Sequence, residues 1–245
     1  MKGVILAGGT GSRLLPLTKV TNKHLLPVYD KPMIYYPLEC MAKAGIEEVL
    51  LVTGGNNSGD FIRLLGNGRD FGLKNLNYTY QEGAGGIAQA LGLAEHFAGG
   101  DSICLILGDN ILEYTIRQAC RKFDEQRHGA KILLAQVENP RAYGVAEMNG
   151  ERVVRIVEKP KEPKSNWAVI GIYFYDNKVF DIVGKLKPST RNELEITDVN
   201  NAYIERGEMT YDKVHGMWAD AGENIDFYLK ACNTVSKCGA NKELK

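Results

Sequence analysis

The sequence predicts an α/β fold built on a mixed, mostly parallel sheet flanked by helices. Three observations carry this expectation. Short unbroken apolar runs, VILA at 4–7 and ICLIL at 103–107, suit strands buried on both faces, as parallel strands are. These runs alternate with segments whose apolar residues recur at helical spacing. The second half then turns to alternating apolar and polar residues on either side of Asn149-Gly150, a dipeptide suited to a tight hairpin turn, so antiparallel pairing enters there.

The strand at 4–7 runs into the glycines of GGTGSR, and residues 33–44 read as a helix opened by Pro32 and closed by Gly45. EEVLLVTGG supplies a second strand, 60–65 a helix and 76–80 a third strand. Helical spacing through Ile87, Ala90, Leu91 and Ala94 predicts a helix over 86–97, and SICLILGDN is a strand ending in a turn. A helix is predicted over 111–126 and a strand over 131–137. The hairpin GVAEMNGERVVRIVEKP, the long strand WAVIGIYFYD, the helix ITDVNNAYIERG, the strand EMTYDKVHG and a helix over 223–236 complete the chain.

Composition narrows the function. With 245 residues, 44% of them hydrophobic, the chain can bury a sizeable core, and one domain over 1–245 is expected. Lys and Arg total 30 and Asp and Glu total 30, so the charge balance favours neither a nucleic-acid nor a membrane partner. Cys40, Cys104, Cys120, Cys232 and Cys238 are scattered, without the C-x-x-C spacing of metal or redox sites, which suits a reducing compartment. Gly8 and Gly9 cut short the apolar run at the N-terminus, so no signal peptide is read there and the cytoplasm is expected.

The loop GGTGSR tests badly against the common glycine loops. A dinucleotide fingerprint needs a third glycine where Leu14 stands and an acidic residue after the second strand, which ends VTGG. A nucleoside-triphosphatase loop needs Gly-Lys-Ser/Thr, which is missing. Instead the glycines lead into Arg13, then Thr18, Lys19 and Lys23, in a stretch kept out of helix by Pro16 and Pro27. Freed backbone N–H groups and these cations suit the phosphates of a triphosphate. Asp109 ends an apolar strand, where open α/β sheets put ligands, and Asp220 lies far away in sequence in WADAG. Two aspartates suit Mg²⁺, which takes few carboxylates beside waters and phosphate oxygens. Either could instead serve the backbone, Asp109 in a turn and Asp220 as the N-cap of the last helix.

LAGGTGSRLLPLT, KHLLPVYDKPMIYYPLE, QEGAGGIAQAL, LGDN, RAYGVAE, EKPKEPKS, ELEITDVN and WADAG together resemble the successive motifs of the sugar-1-phosphate nucleotidyltransferases, from residue 1 to about 228. The resemblance implies a single Rossmann-like nucleotidyltransferase domain, with 1–110 binding a nucleotide and 111–245 a sugar phosphate. It implies Mg²⁺ as cofactor and dTTP and glucose 1-phosphate as substrates, giving dTDP-glucose for deoxysugar and surface polysaccharide synthesis. UTP, CTP or GTP as donor, or a non-catalytic sugar-nucleotide-binding role, stay as alternatives. Self-association into a homo-oligomer is compatible with the sequence.

Carried over residue by residue, the resemblance implies that Leu6, Ala7, Gly8, Gly9, Thr10, Gly11 and Ser12 hold the nucleotide, with Arg13 on the β- and γ-phosphates and Lys23 on the reacting phosphates. Gln81 and Gly86 would read the base, and Asp109 and Asp220 would hold the metal. Asn110, Tyr143, Gly144, Glu158, Lys159, Val169 and Arg191 would meet the sugar phosphate, with Lys159 also catalytic. Trp218 is expected in the core. The chain departs from the family at His24, where glutamine is common, at Asn192, where glycine is usual, and in WADAGE, where W-x-D-T-G-T is usual. It also stops short of the longer bacterial members, so feedback through their extra C-terminal helices is not expected.

Overall fold

A computed structural model describes residues 1–244 of the chain. These fall into two compact units, each assembled from segments distant in sequence: Met1–Ala84, Leu105–Gln118 and His215–Lys245 form the first, Gly85–Cys104 and Ala119–Val214 the second.

The first unit is built on parallel strands. Lys2–Ala7 pairs with Glu48–Gly54, which pairs in turn with Asn75–Gln81, and the buried run VLLV of the middle strand explains why its sequence shows no alternation. The helix Tyr35–Ala44 ends as expected at Gly45, whose φ of 88° closes it with bonds to Met41 and Ala42. Ser58–Leu65 forms the next helix.

One predicted element is wrong in a way that matters for function. Residues 111–126 do not form one helix: Asn110–Leu112 is a strand, and only Arg117–Gln126 is helical. Asn110–Leu112 pairs antiparallel with Trp218–Asp220, in the register Trp218↔Leu112, Ala219↔Ile111 and Asp220↔Asn110. Tertiary pairing overrides the helical spacing, because Ile111 is needed in a cluster with Val28, Met33, Tyr36, Ala221, Ala231 and Val235. That cluster seats the helix Ile225–Cys238. Asn224 caps this helix, accepting from Phe227 N at 2.9 Å, which removes the alternative that Asp220 is the cap.

The second unit is mixed. Trp167–Tyr175 runs antiparallel to Ala130–Gln136, which Met209–Lys213 joins in parallel. Gly144–Asn149 and Arg152–Glu158 form the predicted hairpin, but Arg152 pairs with Asn149, so the two-residue loop is Gly150-Glu151, one place later than expected. Gly150 has φ 58°, the left-handed geometry such a loop requires. The helix predicted over 86–97 is broken into Ile87–Gly92 and Glu95–Ala98, and Ile196–Glu205 packs on Arg152–Glu158. The α/β class with a mixed sheet and flanking helices is as predicted.

Candidate active site

The first unit gathers the expected nucleotide and metal positions except Gly86. Gly8, Gly54 and Gln81 meet at the ends of adjacent strands: a Cβ on Gly8 would stand 3.1 Å from Gln81 Oε1, and one on Gly54 would stand 3.0 Å from the Gly8 backbone. Bare backbone is what allows these strand ends to crowd together. Gly11 has φ 66°, and its carbonyl accepts from Thr18 Oγ1 at 2.8 Å, so Thr18 braces the glycine loop. Thr10 and Ser12 are exposed on that loop. Short 3₁₀ turns, Leu17–Lys19 and Lys23–Leu25, carry the basic residues, as the prolines require.

Lys23 reaches back under the loop. A Cβ on Gly9 would lie 3.3 Å from Lys23 Cε, and Lys23 Nζ lies 2.5 Å from Asp109 Oδ2. Asn110 Nδ2 donates to Asp109 Oδ1 at 3.1 Å. Burial works to raise the Asp109 carboxyl, but Lys23, the nearby His24 and the hydrogen bonds from Lys23 and Asn110 override it and hold the group well below the usual carboxylate range.

The ribbon of Asn110–Leu112 and Trp218–Asp220 brings Asp220 to this pair. Asp220 stands opposite Asn110, and the Ala221 N–H donates to the Asp109 carbonyl at 2.9 Å. Gly222 N donates to Asp220 Oδ1 at 3.0 Å. A side chain at Gly222 would run into the Asp109 carboxylate and the Lys23 ammonium, so glycine there leaves that pair room. Burial, followed by the charge of Asp109, pushes the Asp220 carboxyl up to about 7, against the pull of Lys23 and the Gly222 N–H. Two anions forced to share a site are relieved by a cation, and the donors are hard oxygens. Among the described residues no cluster of three or more His, Cys, Asp or Glu side chains gathers. A two-carboxylate set leaves the remaining positions of an octahedral ion to waters and phosphate, which fits Mg²⁺.

Arg13 lies on the exposed side of the loop, paired through Nη1 with the Glu223 carboxylate. His24, by contrast, is only 2% exposed. Its Nδ1 faces Asn22 Oδ1 at 2.8 Å, and Asn22 Nδ2 donates to the Ala7 carbonyl. Gly108 packs against the His24 ring and the Leu6 carbonyl, where a Cβ would come to 2.8 and 2.9 Å. His24 therefore underlies the site as a neutral packing residue rather than facing a ribose or phosphate.

The second unit gathers the expected sugar positions except Asn110, which lies in the first unit with its amide on Asp109 and Trp218. Glu158 pairs with Gly144, and Gly144 with Val169, so three residues distant in sequence form one row across three strands. Lys159 N donates to the Tyr143 carbonyl at 3.0 Å, and Lys159 has φ 43°, a strained conformation for a residue with a side chain. Thr197 Oγ1, within the motif ELEITDVN, donates to Glu158 Oε2 at 2.8 Å. Arg191 Nη2 lies 2.7 Å from Glu195, 3.4 Å from Glu158 and 3.8 Å from Glu193, so three carboxylates hold it. Asn192 has φ 59°, which accounts for glycine being usual there and for asparagine being accepted. Gly86, also in this unit, has φ 93°, and a Cβ there would collide with the Leu194 carbonyl.

The Nucleotidyl transferase family model matches residues 2–237. The chain belongs to that family. Members of this family generally depend on a divalent metal. The chain is 48% identical over 235 residues to a glucose-1-phosphate thymidylyltransferase of Neisseria meningitidis, covering 94% of this chain and 81% of that one. It is 44% identical over 249 residues to the Mycolicibacterium smegmatis protein of the same name, covering 100% of this chain and 85% of the relative. Among solved structures, a Bacillus anthracis protein assigned as a glucose-1-phosphate thymidylyltransferase, in complex with sucrose, superposes with TM-score 0.93 at 50% identity, covering 97% of this chain and 96% of that one. A UDP-glucose pyrophosphorylase complexed with UDP-glucose superposes with TM-score 0.85 at 26% identity, covering 96% and 98%.

In this nucleotidyl transferase, the residues that sequence reasoning missed are those that orient others: Asn22, Gly108, Thr197, Gly222 and Glu223. Gly108, Thr197 and Gly222 lie inside the motifs LGDN, ELEITDVN and WADAG, which mark their positions but not their parts, and the departure WADAGE points to Glu223. No helix among the described residues is long and apolar enough to cross a membrane.

Proposed function

We propose that this nucleotidyl transferase is a Mg²⁺-dependent thymidylyltransferase that makes dTDP-glucose from dTTP and glucose 1-phosphate. The observation that carries the reading is the convergence of Lys23, Asp109 and Asp220 beside the glycine loop. In the reaction a phosphate oxygen of the sugar attacks the α-phosphorus. A new P–O bond forms, the bond between the α- and β-phosphates breaks, and pyrophosphate leaves. No covalent protein intermediate is required, so the protein contributes alignment and charge neutralisation. Mg²⁺, when bound to Asp109 and Asp220, supplies further positive charge at the two reacting phosphates.

The chain's own residues divide the work between the two substrates. Backbone from Leu6 to Ser12 cradles the triphosphate, Arg13 meets its β- and γ-phosphates, and Lys23 turns from Asp109 toward the reacting phosphates. Gln81 and Gly86 read the base. Glu158, with Tyr143, Gly144 and Val169, meets the sugar, and Lys159 meets its phosphate. Arg191 can help the phosphate only by giving up carboxylate partners, so its main part is to hold Glu158 and Glu195.

UTP is the second reading. A glutamine amide at Gln81 pairs with the O4 and N3–H edge that thymine and uracil share, and the chain is similar to a UDP-glucose pyrophosphorylase. The test is pyrophosphate release with Mg²⁺, glucose 1-phosphate and each nucleoside triphosphate in turn. Release with dTTP supports the proposal. Release only with UTP, CTP or GTP moves it to another donor, and nucleotide binding without release under any pairing defeats it.

A further inference from the structure

We propose that Trp218 is a positioning residue for the metal-binding carboxylate, acting through Asn110. The inference rests on the assignment of Asp109 to a divalent cation and names the group that holds that carboxylate in place.

The geometry runs through donors and acceptors that cannot exchange roles. Trp218 Nε1 donates to Asn110 Oδ1 at 2.7 Å. An indole N–H can only donate, so the amide atom facing it must be the oxygen. The Asn110 amino group then faces the other way, and it donates to Asp109 Oδ1 at 3.1 Å. Asp109, as a carboxylate, can only accept, so this end of the amide is fixed by the same logic. The other carboxylate oxygen takes Lys23 Nζ at 2.5 Å. Each oxygen of Asp109 thus has its own donor, and the plane of the carboxylate is set.

The ribbon explains why these residues meet. Trp218 and Asp220 are two apart on one strand and so share a face, and Asn110 stands directly opposite Asp220. One face of a short ribbon therefore carries one metal carboxylate together with the lock on the other. Asn110 is 5% exposed, so its amide has little water to turn toward. Loss of the indole N–H removes the donor that fixes the amide oxygen on the Trp218 side, which favours a turn of the amide that aims its oxygen at Asp109. The carboxylate would then lose a donor and gain a repulsive neighbour.

Trp218→Phe keeps an aromatic ring and removes the N–H. Titrating Mn²⁺ into the protein without substrates, with free Mn²⁺ monitored by EPR, reads the site without any catalysis. Outer partners of metal ligands typically contribute roughly tenfold to a hundredfold in affinity. We expect W218F to weaken Mn²⁺ binding about tenfold, N110A to do the same, and the double variant to bind no more weakly than N110A alone. Wild-type affinity in W218F, or an undiminished further loss when W218F is added to N110A, overturns the inference. Failure of the wild-type protein to bind Mn²⁺ overturns the metal assignment and this inference with it, and is told apart because it precedes any substitution. A second measurement does not depend on how W218F folds. The chain has two tryptophans, so the ¹⁵N–¹H spectrum has two indole signals; N110A should shift the Trp218 signal, and an unmoved signal overturns the inference.

Discussion

Lys23 and Asp109 form an ion pair at 2.5 Å with only 12% and 11% of their side chains exposed. Each is the other's compensation for burial, so the lysine proposed to meet the reacting phosphates is also a structural element. Removing one partner of a buried pair leaves an uncompensated charge, which costs roughly 3–5 kcal/mol. Lys23→Met should therefore lower stability in urea by about that amount, and the double variant with Asp109→Asn should lose less than the sum of the two. Additive losses would show that the pair does not act as a unit. Asp109→Asn alone should lower turnover roughly a hundredfold or more by removing the charge that would hold the proposed metal.

The loop and the two aspartates were legible because their chemistry is local: glycines, then cations, and an aspartate ending an apolar strand. What brings Asp109 to Asp220 was not legible. It depends on Asn110–Leu112 pairing with residues more than a hundred positions away, and the helical spacing of 111–126 pointed elsewhere. The same holds for Thr197 and Gly222, whose parts exist only once remote backbone has come together. In the second unit the row Glu158, Gly144 and Val169 is a matter of strand register, which the motifs marked and the spacing could not explain.

Burial of His24 should make the protein sensitive to acid. Burial, then the Lys23 ammonium, pushes its pKa from 6.5 down to about 3, against the pull of Asp109 and a bond to Ala7. The folded protein thus keeps the ring neutral where an unfolded chain would already protonate it. Stability is lost as pH falls below about 6.5 and continues to fall toward about 3. Between pH 7 and pH 5 this one group should remove about 2 kcal/mol. His24→Gln, which carries no titrating ring, should lose correspondingly less over the same interval in urea titrations. Equal losses in the two proteins would place the acid sensitivity elsewhere.

Glu223 occupies the guanidinium that a triphosphate would use. The pair with Arg13 is well exposed on the arginine side, at 55%, so it is screened and weak. Displacing it still competes with nucleotide binding. Exposed pairs contribute about 0.2–1 kcal/mol, which corresponds to at most about a fivefold change in affinity. Glu223→Gln should lower KM for dTTP within that range, and the gain should vanish in an Arg13→Ala background. A KM that stays the same or rises would mean that Glu223 does not compete for Arg13.

Thr197 offers a test confined to the sugar side. Its hydroxyl donates to Glu158 Oε2 at 2.8 Å, and Arg191 holds the opposite oxygen at 3.4 Å, so the carboxylate is fixed from both ends. A hydrogen bond to a charged group contributes about 1.5–3 kcal/mol, so loosening this one should cost about tenfold or more where the carboxylate meets a sugar hydroxyl. Thr197→Val keeps the shape and removes the donor. It should raise KM for glucose 1-phosphate by about that factor and leave KM for dTTP unchanged, while Thr197→Ser should behave nearly as wild type. Were both Michaelis constants to rise together, Thr197 would be supporting the fold of the second unit rather than aiming Glu158. The serine variant decides between these outcomes, because it keeps the hydroxyl and lacks the methyl group.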